Sequence, residues 1–378
     1  MMIITYKTAD CASCGGRQSY GNCLIGNNHL VRGCARCGAE KTVRLPTIKK
    51  KILYLDQCFL SSMFRGDDSR IEPLARKIKQ LIHQQQLVTP FSNVHETESL
   101  QWGDCQNKEL FQFIKRHAVG HAFTHWLGVW SAQLSRAFQA YLTSADNPVV
   151  TEADAVPAAI HRWDGYEWVD IRRSLEDPAA TARCKADFAK RLTEDFAKWR
   201  GRNLSYQELH AEVASELSAE IKNLIPWTIS QMIFSAKRLV GEDKARQAVD
   251  AFLISTAFHF VPFIDIASAL YAKLRQKIQN PTLYTNQEEA LDKFNSLAFD
   301  VRFISTYAPY CDAMFIDKTM CQWLNENDVQ FAKKYKTRLF PYSKAGLADL
   351  SQWLENIENS ISADLKQTIR LAYPSASV

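Results

Sequence analysis

Two Cys-x-x-Cys-Gly pairs, Cys11-Ala-Ser-Cys14-Gly15 and Cys34-Ala-Arg-Cys37-Gly38, stand 19 residues apart and constrain this chain more tightly than any other feature. Each pair can form a knuckle, with a glycine that lets the turn close and brings backbone N–H groups toward the sulfurs. Four thiolates suit tetrahedral Zn²⁺, and the spacing is that of four-cysteine zinc sites. A unit smaller than about 40–50 residues has little core of its own, and a metal replaces it. Residues 1–47 are therefore expected to form a zinc ribbon with structural Zn²⁺ on Cys11, Cys14, Cys34 and Cys37. Cys23 and His29, between the pairs, are expected in loops. Paired cysteines in so long a chain favour metal ligation over a disulfide framework, and with it a reducing cytoplasm.

Charge is distributed unevenly. Residues 1–51 hold nine Lys or Arg against Asp10 and Glu40, while the whole chain carries only +5. A basic module on a near-neutral body is an electrostatic footprint for nucleic acid. Arg32, Arg36 and Lys41 in the ribbon and Lys50 in the linker are the candidate contacts. No membrane association is expected. The opening MMIITYKTAD lacks the apolar core of a secretory leader, and the apolar stretch 251–264 falls short of the roughly 20 residues that span a bilayer.

Strand and helix signals alternate at the two ends of the remainder and not in its middle. Ile52–Leu55 reads as a short buried strand, Glu72–Gln86 as an amphipathic helix, Leu87–Pro90 as a second strand, and Ser92 as the cap of a helix carrying His95 and Glu98. From 106 to 295 amphipathic stretches dominate: 107–142, 179–200, 206–224, 228–240, 242–257 and 263–279. Strand signals return at Asp300–Ser305, Ala313–Ile316 and Arg338–Tyr342, followed by a final helix capped by Ser343. This order predicts an α/β fold with a parallel sheet. Its two parts, 48–105 and 296–378, are separated by an all-helical insertion at 106–295. The insertion is open to three roles: a homo-oligomer interface, a regulatory lid or a sensor.

Four acids sit at the edges of these short apolar runs: Asp56, Glu98, Asp312 and Asp317. Carboxylates brought together repel one another unless a cation neutralises them, so a cluster predicts Mg²⁺ or Mn²⁺, which prefer oxygen ligands and activate water against phosphodiesters. Each acid taken alone is more often a helix cap than a ligand.

The segments Leu55-Asp56-Gln57, Pro90-Phe-Ser-Asn-Val-His95-Glu-Thr-Glu98 and Tyr307-Ala-Pro-Tyr-Cys-Asp312-Ala-Met-Phe-Ile-Asp317-Lys318 resemble the PIN-like nuclease domains. The resemblance covers about 50–105 and 295–375. It implies a Rossmann-like parallel sheet and a metal-dependent endoribonuclease with Asp56, Glu98, Asp312 and Asp317 as its acidic set. Gln57 stands where a small polar residue is usual, and the interval from Asp312 to Asp317 is shorter than usual, which makes Asp300 a further candidate. His95 and Lys318 are candidates for contact with phosphate. Some bacterial PIN-like proteins serve antiviral defence or act as toxins, and the resemblance extends to that setting.

Two other readings stay in view. Arg116 and His121 fit the Arg-x4-His signature of metal-independent HEPN ribonucleases. The chain could equally be a non-catalytic zinc-ribbon adaptor that binds RNA. His117, His121 and His125, spaced by four, are expected on one helix face packed against the sheet unit.

Overall fold

Ile52, Leu53, Tyr54 and Leu55 are all buried in the computed structural model, where strand β5 (Lys51–Leu55) runs through the middle of a sheet. Residues 3–26, 28–99, 104–144, 150–167, 178–280, 288, 290–291 and 297–375 are described. β5 pairs in parallel with β6 (Leu87–Val88) on one side and β7 (Ala313–Ile316) on the other, and β8 (Arg338–Pro341) extends the sheet beyond β7. A parallel bridge between Phe91 and Ala122 prolongs the β6 side. Both flanks of β5 are thus filled from distant parts of the chain.

Alternation of side chains fixes two cores. Leu53, Leu55, Phe315 and Phe340 face one layer. It is built from α1 (Gln57–Arg65), α2 (Ile71–His83), α4 (Asp104–His117), α15 (Lys344–Asn359) and α16 (Ala363–Ala372). Ile52, Tyr54, Met314 and Ile316 face the other. That layer holds α12 (Leu297–Tyr307), α13 (Lys318–Asn325), α11 (Pro262–Gln279) and α6 (Pro178–Arg200). A third core joins α5 (Trp126–Leu142), α7 (Tyr206–Leu224), α8 (Pro226–Val240), α9 (Glu242–Leu253) and α10 (Thr256–His259) to the start of α11. Two short helices, α3 (Asn93–Ser99) and α14 (Phe331–Lys334), complete the sheet unit. Among the described residues no helix is long and apolar enough to cross a membrane.

The amino-terminal segment is a separate antiparallel sheet of β1 (Tyr6–Ala9), β2 (Tyr20–Gly26), β3 (His29–Cys34) and β4 (Glu40–Arg44), in chain order. It rests on the end of α16, where Asn22 donates to the carbonyls of Leu371 (2.7 Å) and Ala372 (3.2 Å).

Three expectations need correction. Asp300–Ser305 is helical, not a strand: Phe299, Phe303 and Tyr307 recur at intervals of four, and Phe303 and Tyr307 stack on Tyr54 at 4.9 and 6.0 Å. The stretch 107–142 is two helices. Val119 (φ 50°) and Gly120 (φ 73°) turn the chain so that Ala122 reaches Phe91. Leu110 and Ile114 of α4 lie in the core with Leu55 and Phe59. The final helix is also two, with Ser362 capping the second.

Candidate functional site

The four paired cysteines converge. Their sulfurs all lie within 4.8 Å of one another, with Cys11–Cys37 at 3.7 Å and Cys14–Cys34 at 3.8 Å. A Zn–S bond of about 2.3 Å gives a tetrahedron with edges of about 3.8 Å, so the donor set fits Zn²⁺ in both chemistry and size. Gly15 (φ 65°) and Gly38 (φ 73°) are left-handed, and their N–H groups close each knuckle onto the carbonyls of Cys11 and Cys34. The Ser19 hydroxyl at 3.3 Å and the Arg36 N–H at 3.4 Å lower the Cys34 thiol to about 6. Cys23 and His29 lie outside the group, in strands and not loops.

A second site forms at the carboxyl edge of the parallel sheet. Asp56 follows β5 and caps α1, accepting from the N–H of Gln57 at 2.6 Å. Asp317 follows β7 and caps α13 through Oδ1, which accepts from Thr319 (2.6 Å) and Met320 (3.3 Å). The strand register holds the two neighbours together, since the Asp56 N–H donates to Phe315 (3.1 Å). In chain order β5 is the first strand of this sheet, β6 the second and β7 the third, so the connection reverses between β5 and β7. Open α/β sheets bind their ligands at such a switch point. Two helix N-termini meet there as well, and their first N–H groups are taken up by Asp56 and Asp317.

Glu98 on α3 and Asp300 in the first turn of α12 join them. Burial, with Asp317 close by, pushes Asp56 up to about 6. Burial, and then Asp56, pushes Glu98 well above the usual carboxylate range, with Lys185 of α6 opposing. The Cys58 thiol donates to Asp56 Oδ2 at 3.4 Å and is raised by burial and by the charges of Asp56, Asp300 and Glu98. Asp56, Glu98, Asp300 and Asp317 therefore share one electrostatic neighbourhood. It is looser than the cysteine group: among the described residues only the four cysteines bring three or more ligand atoms within 4.8 Å. Acidic, oxygen-only donors that repel one another suit a hard cation in charge and chemistry.

Asp312 does not belong to this set. It precedes β7 at the opposite edge, about 16 Å along the strand at roughly 3.3 Å per residue. There it accepts from the Ile52 N–H (2.9 Å) and pairs with Lys51 (2.7 Å). Asp300 lies on the carboxyl-edge side, where its charge acts on the Cys58 thiol. The missed signal was the four-residue spacing of Phe299, Phe303 and Tyr307, which makes the segment a helix and puts Asp300 in its first turn.

The candidate contacts divide. Lys318 is exposed beside Asp317, and Arg36 is exposed on the ribbon. His95 is only 1% exposed. Its Nδ1 accepts from Ser92 N–H (3.0 Å), so Nε2 carries the proton toward the Leu55 carbonyl (2.8 Å), and burial lowers its pKa to about 4. It fixes the strand end before Asp56 and is shielded from solvent. Lys50 is 1% exposed and held by Asp164 at 2.8 Å, which removes it from any nucleic-acid surface. Asp164 also takes His121 Nε2 at 2.7 Å and Gln85 at 3.0 Å. Lys50→Ala is expected to cost about 3–5 kcal/mol, the range for breaking a buried pair, as read from urea melts.

Arg116 and His121 do not form a pair on one helix. α4 ends at His117, Arg116 is exposed and turns back to the Gln112 carbonyl (3.3 Å), and His121 is engaged with Asp164. The histidines spaced by four part company for the same reason: His125 caps α5 and accepts from Leu127.

No protein-family model matches the chain, and no curated protein or solved structure gives a significant match.

Proposed function

We propose that this chain is a metal-dependent nuclease of the PIN-like kind that cuts RNA. The observation that supports the reading is that Asp56 and Asp317 follow adjacent strands at the switch point of the parallel sheet, where the charges of Glu98 and Asp300 are also felt. These four carboxylates would hold Mg²⁺ or Mn²⁺, which supplies charge neutralisation and an activated water when bound. Capping by Asp56 and Asp317 fixes two of the acids to rigid helix starts, and His95 locks the strand end behind Asp56. Lys318, exposed beside Asp317, and Lys185, whose charge acts on Glu98, would flank a phosphate. Exposed ribbon residues, Arg17, Arg36 and Lys41 among them, supply charge for the rest of the strand.

Metal-free stability tests the site without turnover. Asp56 ionises near 6 in the folded chain, against about 3.9 in an unfolded one. Its contribution to stability is full below about 4 and is lost as pH rises through 6. Asp56→Asn is therefore expected to melt above the wild type at pH 7, with the gap closing toward pH 4. Mn²⁺ should raise the wild-type midpoint and leave the variant's unchanged. Equal Mn²⁺ shifts in both proteins would refute the metal assignment.

A further inference from the structure

A cavity of about 430 Å³ opens among α5, α6, α7, α11 and α12, away from the cysteines and on the far side of α12 from the sheet. Its size falls in the range of about 300–1,000 Å³ typical of small-molecule sites. Its wall is aromatic. Phe188, Tyr271 and Phe263 line it, and Trp130 stacks on Phe263 at 4.4 Å with its Nε1 fixed to Thr306 at 2.8 Å. Its rim is cationic. Arg183, Arg191 and Arg302 stand against Asp187 and Glu220, and Arg191 already neutralises Glu220 at 2.6 Å. The Arg302 guanidinium lies over the rings of Trp126 at 4.8 Å and Phe299 at 5.6 Å, which limits its freedom. Aromatic faces accept a planar ring, and guanidinium groups match phosphate oxygens in pairs.

We propose that this cavity binds a nucleotide unit, with the base against the aromatic wall and the phosphate between Arg183 and Arg302. The position gives the site a consequence. Ala298, Val301, Arg302 and Ser305 of α12 line the cavity, while Phe303 and Tyr307 of the same helix stack on Tyr54 and Asp300 belongs to the acidic group. One short helix therefore joins the cavity to the carboxyl edge of the sheet. The helical insertion becomes a nucleotide-sensing or strand-gripping element.

The unit has two sources, a free nucleotide or a residue of a bound RNA strand, and separate arms of one experiment distinguish them. Quenching of tryptophan fluorescence and calorimetry would be followed with AMP, GMP, CMP and UMP, with adenosine, with inorganic phosphate, and with a short oligoribonucleotide. Binding is read in metal-free buffer, so the outcome does not depend on whether the acidic edge cuts RNA. A mononucleotide is expected to bind saturably, at least tenfold more tightly than adenosine or phosphate. Arg183→Gln and Arg302→Gln should each weaken it at least tenfold, and Arg238→Gln on α8 should not. Arg183 is exposed, so its variant is not open to a folding explanation. Binding of the oligonucleotide alone, with the same losses, supports the proposal and makes the strand the source. Three results would overturn it: no binding of either at millimolar concentration, affinity unchanged in both arginine variants, or adenosine binding as tightly as AMP.

Discussion

Asp317→Asn is expected to lower metal-dependent RNA cleavage by more than 100-fold, whereas Asp312→Ala should cut at close to the wild-type rate. The first variant separates chemistry from folding. Asparagine is as good a helix cap as aspartate, so the bonds from Thr319 and Met320 to Oδ1 persist and only the charge is lost. Even changes one step removed from a metal ligand cost about 10–100-fold, so loss of a charged donor should exceed that range. Asp312 lies at the other edge of the sheet, and its removal strips an acceptor from the Ile52 N–H and a partner from Lys51. The cost falls on stability, at about 1–3 kcal/mol for the stranded backbone group. Rates measured on single-stranded RNA with Mn²⁺ at 25 °C, beside urea melts, resolve the two effects. Equal loss of activity in both variants would remove the carboxyl edge from consideration, as would wild-type cutting by Asp317→Asn.

That pair of variants marks where reading from sequence stopped. Short apolar runs ended by an acid, Ile52–Leu55 with Asp56 and Ala313–Ile316 with Asp317, gave both the strands and their caps correctly because burial on two faces leaves few other options. The cysteine knuckles were legible for a similar reason, since metal geometry acts over a few residues. Asp312 was misplaced because a parallel strand presents acids at both ends, and only pairing with β5 shows which end is which. The helix with Asp300 in its first turn reads as a strand because Val301, Phe303 and Ser305 alternate, while the contacts that decide the matter, Phe303 and Tyr307 on Tyr54, span some 250 residues of sequence. Lys50 carried the right charge for nucleic acid. Its partner Asp164 lies 114 residues away, beyond the reach of any local pattern.

Removing zinc is expected to unfold the amino-terminal sheet and leave the rest of the chain folded. β1–β4 contribute little apolar interior, chiefly Ile25 and Leu30 with Leu45 just beyond, which is too little to offset the chain entropy of more than 40 residues. Metal binding at four-thiolate sites contributes about 10–16 kcal/mol in isolated zinc modules, so the sulfurs carry most of the stability here. Cys34→Ser takes away a thiol whose pKa is lowered to about 6 and breaks the contacts from Ser19 and Arg36. The expected result is one Zn²⁺ per wild-type chain, and less than one in the variant. Amides of β2 and β3 should lose at least 100-fold in exchange protection while those of β5 and α12 keep theirs, because the cores on both faces of the parallel sheet draw few residues from the ribbon. The docking bonds from Asn22 to Leu371 and Ala372 would go with the sheet, so the end of α16 should exchange faster as well. Amides of β2 and β3 that stay protected after zinc is gone would mean that packing against α16, and not the metal, holds the ribbon.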